Sequence, residues 1–273
     1  MIMRIAFLCN AKYVLSLKKI MNQYHNIETF YFCSSDKEQK IKEDEYKIKI
    51  DKNYEYEIFK LLEIDLVLMY SWKYLIPENV LNRIPVYNFH PSLLPAYRGP
   101  LPLTFQILNG EKTGGVTLHK VDKYYDNGAI YTQMKYNISS NDTSVILEIK
   151  VFQCIKRIMD MFVKDLINSN ILLTNQDISK VTCYSYADLN KYIIDNTYSL
   201  NKFLQISRYI NKVKLKIKVG NDIYFLKNYK IDRDNICNYE YCLTNKKIYV
   251  SIIPYKDVGV KTINKVASIP IVP

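Results

Sequence analysis

Residues 65–95 read DLVLMYSWKYLIPENVLNRIPVYNFHPSLLP, and the fold class turns on the two ends of that stretch. Residues 65–70 are a continuous apolar run, the pattern of a strand buried on both faces of a parallel sheet. Pro77 suits the start of a short helix, and residues 86–90 make the next strand. Toward the N-terminus, residues 3–9 (MRIAFLC) form another apolar run, followed by a helix-like stretch to about Tyr24 and a strand at 27–32. This is a β-α-β opening. Gly is absent before Gly99, so the G-x-G-x-x-G turn of a dinucleotide site is excluded although the topology is doubly wound. The charge-dense segment 34–51 reads as a solvated connection, and 54–63 as a helix.

Toward the C-terminus, Pro91, Pro95, Pro100 and Pro102 with Gly99 predict a rigid, irregular loop. Residues 116–121 and 129–136 read as strands joined by a polar turn containing Asp126, Asn127 and Gly128, and 143–166 as a long amphipathic helix. These elements complete a first domain, assigned to residues 1–180. After a polar connection the pattern changes to a helix at 200–210 and strands at 213–219, 223–226 and 247–253, with Gly220-Asn221-Asp222 as a hairpin turn. The expected fold is α/β: a Rossmann-like, mostly parallel sheet with flanking helices, plus a small β-rich C-terminal domain at 186–273.

Composition narrows the class. Of 273 residues, 48% are hydrophobic and 24% charged, which supplies a sizeable core and argues against disorder. No stretch approaches the apolar length a bilayer span needs, and MIMRIAFLCN is too short for an export signal, so a cytoplasmic protein with no membrane insertion is expected. The net charge is 38 − 27 = +11, but only six of the 38 basic residues are Arg and the charge is spread along the chain. It gives nucleic-acid binding only weak support. Cys9, Cys33, Cys154, Cys183, Cys237 and Cys242 show no C-x-x-C pair, so reduced structural thiols are expected, and neither a disulfide scaffold nor a metal site.

The chain has three histidines, His25, His90 and His119. Side chains alternate along a strand, so Asn88 and His90 project to one face at the strand end where open α/β sheets place ligands. The proline-rich loop leaves immediately and can wall a pocket there. A turn-forming Asn88 and a core His90 would explain the same residues without function. Asp126, in a tight D-N-G turn able to swing back over the carboxyl edge of the sheet, makes the set coherent. Acyl transfer to an amine creates a tetrahedral oxyanion and an ammonium that must lose a proton. Asn88 and a protonated His90 can donate to the oxyanion, while Asp126 favours the imidazolium and accepts the amine proton directly or through water. His119, mid-strand, reads as structural.

The run from Asn88 to Pro95 with Tyr97-Arg98-Gly99, then Gly115-Val116-Thr117-Leu118-His119, then Asp122 to Asp126 and Gly128, resembles the folate-dependent formyltransferases over roughly residues 65–135. The resemblance implies a Rossmann-like domain, 10-formyltetrahydrofolate as formyl donor, and Asn88, His90 and Asp126 as the catalytic trio. It also implies that the pterin is held by backbone groups of Lys73, Tyr74 and Leu75 and of Asp122, Lys123, Tyr124 and Tyr125. Trp72 beside the first segment reads as packing, and Asp122 as a turn or backbone contact.

Three branches of the family compete for the acceptor. The glycinamide ribonucleotide branch is usually a single domain, and this chain continues well beyond Tyr186. The methionyl-tRNA branch carries a C-terminal β-barrel, of which the tail looks like a shortened version, with Tyr209, Lys212, Lys214, Lys216 and Lys218 as a tRNA footprint. That branch commonly has Gly after the histidine and R-G-A-A-P, whereas here Pro91 and Arg98-Gly99-Pro100-Leu101-Pro102 look like the enzymes that formylate nucleotide-linked amino sugars. The preferred expectation is therefore an N-formyltransferase acting on a nucleotide-linked, dTDP-type amino sugar for glycan or O-antigen synthesis, without nucleic acid and as a homodimer covering an exposed C-terminal strand edge. Candidate substrate contacts are Asn10 and Lys12 after the first strand and Arg98, Gly99 and Pro100 in the loop. A non-catalytic binding protein on the same fold is the alternative of a different class.

Overall fold

The computed structural model describes residues 2–33, 56–194, 200–208, 215–219, 222–231, 241–243, 248–254 and 267–269. The connection expected at 34–51, with Tyr209, Lys212, Lys214 and Cys237, lies outside the described residues. The elements in order are β1 (Met3–Cys9), α1 (Val14–Met21), β2 (Ile27–Cys33), α2 (Tyr56–Leu61), β3 (Leu66–Tyr70), α3 (Glu78–Leu81), β4 (Val86–His90), α4 (Pro102–Leu108), β5 (Thr113–Lys120), β6 (Ile130–Asn137), α5 (Ser144–Ile167), α6 (Leu200–Ser207), β7 (Lys216–Val219), β8 (Asp222–Ile231), β9 (Tyr241–Leu243), β10 (Ile248–Pro254) and β11 (Ala267–Ile269).

The first six strands form one sheet in the order β2-β1-β3-β4-β5-β6. β2, β1, β3 and β4 run parallel, and β5 and β6 complete the sheet antiparallel. The apolar runs behave as a doubly covered sheet demands: Ile5 to Cys9 and Leu66 to Tyr70 are buried throughout. α1 contributes Val14, Leu17, Ile20 and Met21 from one face, and α5 buries Leu147, Val151, Ile155, Ile158, Met159 and Phe162 at helical spacing. Each such side chain withdrawn from water is worth about 1.5–3 kcal/mol. The strand order reverses at β1 and β3, the place where doubly wound sheets open a ligand crevice. Tyr13, Tyr70 and Phe152 pack there, with ring centroids 4.8 Å, 5.3 Å and 5.5 Å apart.

The chain divides into two compact units that are discontinuous in sequence: Met1–Gly99 with Thr113–Asn137 and Glu148–Cys183, and Pro100–Lys112 with Ile138–Leu147 and Tyr184–Pro273. The second contains a sheet in the order β11-β9-β10-β8-β7. β7 and β8 pair with Val219 opposite Asp222, the register of a tight hairpin at the expected turn. Ile194 bridges to Ile217 on the outer side of β7, so the strand edge expected to stand open is covered there within the chain.

One helix was not expected. α4 emerges from the proline-rich loop because Leu101 adopts φ 59° and Pro102 occupies the first turn, where its fixed φ suits a helix and its missing N–H costs nothing. Thr104, Phe105, Gln106, Ile107 and Leu108 are all buried. The prolines upstream mask this apolar run in the sequence. Among the described residues no helix is long and apolar enough to cross a membrane.

Candidate active site

β4 ends at His90, and its register against β5 sets Asn88 opposite His119 and His90 opposite Thr117. Directly opposed residues project to the same face of the sheet, so alternation puts Asn88, His90, Thr117 and His119 together. β5 then leaves beside the start of β4, where the Val121 N–H donates to the Val86 carbonyl. The turn carrying Asp126 therefore arrives across the face of the β4–β5 pair from the end where β4 begins, not around the carboxyl edge as the sequence suggested. The turn must approach the strand closely: a Cβ on Gly128 would lie 1.7 Å from the Lys120 carbonyl oxygen. Asp126 takes φ 48°, a left-handed conformation that Asp tolerates better than most residues.

The expected trio converges. Asp126 Oδ1 lies 3.3 Å from Asn88 Nδ2 and 3.4 Å from His90 Nδ1. His119 joins it as a fourth member, with Nε2 at 3.3 Å from Asn88 Nδ2 and 3.7 Å from Asp126 Oδ1. Its other nitrogen, Nδ1, lies 2.9 Å from the Lys120 carbonyl. That carbonyl accepts a hydrogen bond from the Nδ1–H, which leaves Nε2 as the acceptor for the Asn88 amide. The structural role expected for His119 is therefore too narrow: it orients the site. The sequence alone does not show this, because Asn88 and His119 become cross-strand neighbours only once the register is known.

The loop after His90 is pinned by Thr117, from the G-V-T-L-H run, and by Gln133, which carried no motif. Thr117 Oγ1 donates to the Ser92 carbonyl at 2.7 Å and accepts from the Leu94 N–H at 3.1 Å, and Gln133 Nε2 donates to the Leu94 carbonyl at 2.8 Å. The loop then turns back so that the Tyr97 carbonyl lies 2.8 Å from His90 Nε2 and the Gly99 N–H donates to Asp126 Oδ2 at 2.9 Å. Gly99 sits at φ 94°, a conformation that glycine adopts without steric cost.

Both ring nitrogens of His90 thus face oxygens. Only the imidazolium satisfies the two together, because a neutral ring has one proton to donate. Burial acts against this: desolvation of the ring, 4% exposed, is the larger influence and holds its pKa below the ordinary value, only partly offset by Asp126 and the Tyr97 carbonyl. For Asp126 burial again favours the neutral form, but His90 and the Gly99 N–H outweigh it and keep the carboxyl well below the usual range. That direction holds whichever form His90 takes, since Gly99 and Asn88 donate to the two carboxylate oxygens. The result is an ionised carboxylate beside a histidine poised to take a second proton.

The segments expected to hold a pterin start from one face of the sheet. Trp72 and Val121 both pack against the core cluster that includes Met69, Ile76 and Val86, so Lys73, Tyr74 and Leu75 lie on the same side as Asp122 to Tyr125. Leu75, Tyr124 and Tyr125 are exposed, giving a flat conjugated ligand apolar surface to cover. Asp122 serves the turn, its Oδ1 accepting from the Tyr124 N–H at 2.9 Å. Trp72 packs edge-on against Tyr74 with centroids 5.5 Å apart.

The expected substrate contacts are otherwise engaged. Asn10 caps the short helical turn before α1, accepting from the Lys12 N–H at 3.2 Å. The Lys12 ammonium lies 3.4 Å from Glu148 and over the Tyr13 ring. Arg98 donates to Asn127 Oδ1 at 2.9 Å and twice to Gln176 Oε1. Pro100 follows Gly99 on the way to α4.

Comparison with known proteins places this geometry. The profile of the formyl transferase family matches residues 14–160. The chain belongs to that family. It is 35% identical over 135 residues to a methionyl-tRNA formyltransferase from Kosmotoga olearia, a match covering 49% of this chain and 43% of that protein. The formyl transferase chain thus spans less than half the length of that curated relative. Among solved structures, it resembles a 4-N formyltransferase from Francisella tularensis, with TM-score 0.65 at 20% identity, covering 82% of this chain and 96% of that one. It also resembles HypX from Aquifex aeolicus in complex with tetrahydrofolic acid, with TM-score 0.70 at 15% identity, covering 99% of this chain and 49% of that one. At such identities these likenesses establish the fold, which is the Rossmann-like sheet read from the sequence.

Proposed function

We propose that this formyl transferase family member moves a formyl group from 10-formyltetrahydrofolate to the amino group of a nucleotide-linked amino sugar. The observation that carries the reading is the convergence of Asn88, His90 and Asp126, three polar groups remote in sequence, around one point. The donor supplies an activated formyl carbon. The chain's own residues do the rest.

Asn88 Nδ2 donates to Asp126 and His119 at 3.3 Å each. Both contacts are long, so exchanging one for a developing oxyanion costs little, and the charged acceptor makes the stronger bond. Asp126, ionised at neutral pH, removes the proton that the attacking amine must shed and passes it to His90, which holds it between its two oxygen neighbours and presents a cation to the same oxyanion. The proton then goes to the amine nitrogen of the departing tetrahydrofolate. A site of this kind has no need of a nucleophilic side chain on the protein.

The choice of acceptor rests on residues 91 and 98–102, where Pro91 and the R-G-P-L-P loop resemble the sugar-modifying branch. The 35% identity to a methionyl-tRNA formyltransferase supports the second reading, formylation of methionyl-tRNA. Turnover with a panel of thymidine-diphosphate amino sugars and with methionyl-tRNA, each with 10-formyltetrahydrofolate, decides between them. Formylation of a sugar amine is expected; rapid formylation of the tRNA with no sugar accepted overturns the choice.

A further inference from the structure

Gln176 lies in the extended segment after α5, beyond the residues matched by the family profile. Its amide joins three parts of the site. Nε2 donates to the Asp126 carbonyl at 2.9 Å and to the Gly128 carbonyl at 2.8 Å. Oε1 accepts from Arg98 Nε at 3.2 Å and from its NH2 at 2.6 Å. Arg98 in turn holds Asn127, whose Nδ2 donates to Asp122 Oδ2 at 2.7 Å. The segment itself is stitched down on both sides of Gln176: Thr174 exchanges backbone hydrogen bonds with Ile130, and the Thr182 carbonyl accepts from the Arg98 N–H.

We infer that Gln176 is a positioning residue, acting through the backbone of Asp126 to hold its carboxylate against His90 and Asn88. Asp126 is in a left-handed conformation, which costs about 1–2 kcal/mol for a residue with a side chain and persists only when its surroundings enforce it. Gln176 grips the carbonyl on the C-terminal side of that strained residue and the one two residues later. Without those two donors the turn can relax, and a carboxylate displaced by about 1 Å loses a large part of its effect on the chemistry. Arg98 fixes which way the amide points, because its guanidinium accepts nothing and can face only the oxygen. This assigns Arg98 to the clasp.

The inference rests on the formyl-transfer reading for its kinetic arm only, and a second arm stands without it. Gln176→Ala removes both functions of the amide, and Gln176→Met removes them while keeping the length of the side chain and adding no charge beside His90. Both variants are expected to lower kcat for formyl transfer about 10- to 100-fold, with the affinity for a non-reactive folate within twofold of the wild type. The second readout is the titration of the His90 ring protons by NMR, tractable with three histidines in the chain. His90 is faced by Asp126, His119, Arg98 and the Tyr97 carbonyl. Of these Asp126 is the group that raises its pKa by charge, so a released carboxylate moves the titration downward in both variants.

A wild-type chain that formylates none of the acceptors defeats the proposed function, and the His90 titration still decides the role of Gln176. Unchanged kcat and unchanged titration in both variants, with only a lower denaturation midpoint, reduce Gln176 to a structural tie and overturn the inference. Should Gln176→Ala fail to fold, Gln176→Met is read by the same kcat and the same His90 titration, and a downward shift or its absence in that variant decides the matter alone.

Discussion

The Gly99 N–H and Asp126 Oδ2 lie 2.9 Å apart, so the loop that follows His90 and the turn that carries the carboxylate are tied by one charge-assisted hydrogen bond. The tie needs an oxygen at that position and not a charge. Asp126→Asn retains an oxygen for Gly99, and its fold is expected to survive. Loss of the base should lower formyl transfer about 100- to 10,000-fold. Circular dichroism and a turnover assay on the same preparation check both halves. Activity within tenfold of wild type sinks the role given to Asp126.

The depressed pKa of His90 has a consequence for stability. Its folded value lies below the unfolded value of 6.5, so between the two the unfolded chain binds more protons and stability rises with pH. The contribution is present in full above about 6.5 and is lost as the pH falls toward the folded value. Asp126, also depressed, adds a further loss only below the ordinary carboxylate range. Urea midpoints at pH 7.5 and pH 5.0 should therefore differ more for the wild type than for His90→Asn. Equal falls in the two proteins contradict the assignment.

Much of this was legible from residues 65–95 and the motifs after them. Uninterrupted apolar runs at 5–9 and 66–70 have few solutions other than buried parallel strands, and alternation alone placed Asn88 and His90 on one face. What escaped depends on register and long-range hydrogen bonds. His119 becomes a site residue only when β5 is set antiparallel to β4 with His119 opposite Asn88. Gln176 sits in a polar stretch whose local pattern says only that it is a connection; its partners are Asp126 and Gly128, 50 and 48 residues earlier in the chain. α4 escaped because a proline at a helix start and a proline in a loop look the same until the following apolar residues are seen to be buried.

Asn10 and Lys12 separate a structural from a substrate-binding role. Asn10 is in extended conformation and caps the turn before α1, so Asn10→Ala should cost about 1 kcal/mol in urea denaturation. Lys12 is engaged by Glu148 and Tyr13, and Lys12→Ala should leave the denaturation midpoint nearly unchanged, as exposed pairs contribute little. Neither change is expected to move the KM for the acceptor by more than threefold. A tenfold rise in KM for either would place the acceptor's anionic group at the end of β1.

Gly128 is the position where the turn has no room to give. A Cβ there would lie 1.7 Å from the Lys120 carbonyl oxygen and 2.8 Å from its carbon. The obstruction is backbone, fixed further by the Lys120 N–H donating to the Ala129 carbonyl at 2.8 Å. Gly128→Ala must therefore open the turn rather than shift a side chain, at a cost of about 1–3 kcal/mol. The opening also carries the Gly128 carbonyl away from Gln176 and loosens Asp126 two residues earlier. Stability and kcat should fall together in this variant. A Gly128→Ala protein with an unchanged midpoint would mean that the turn is not seated on Lys120, and the route by which Asp126 reaches His90 would have to be redrawn.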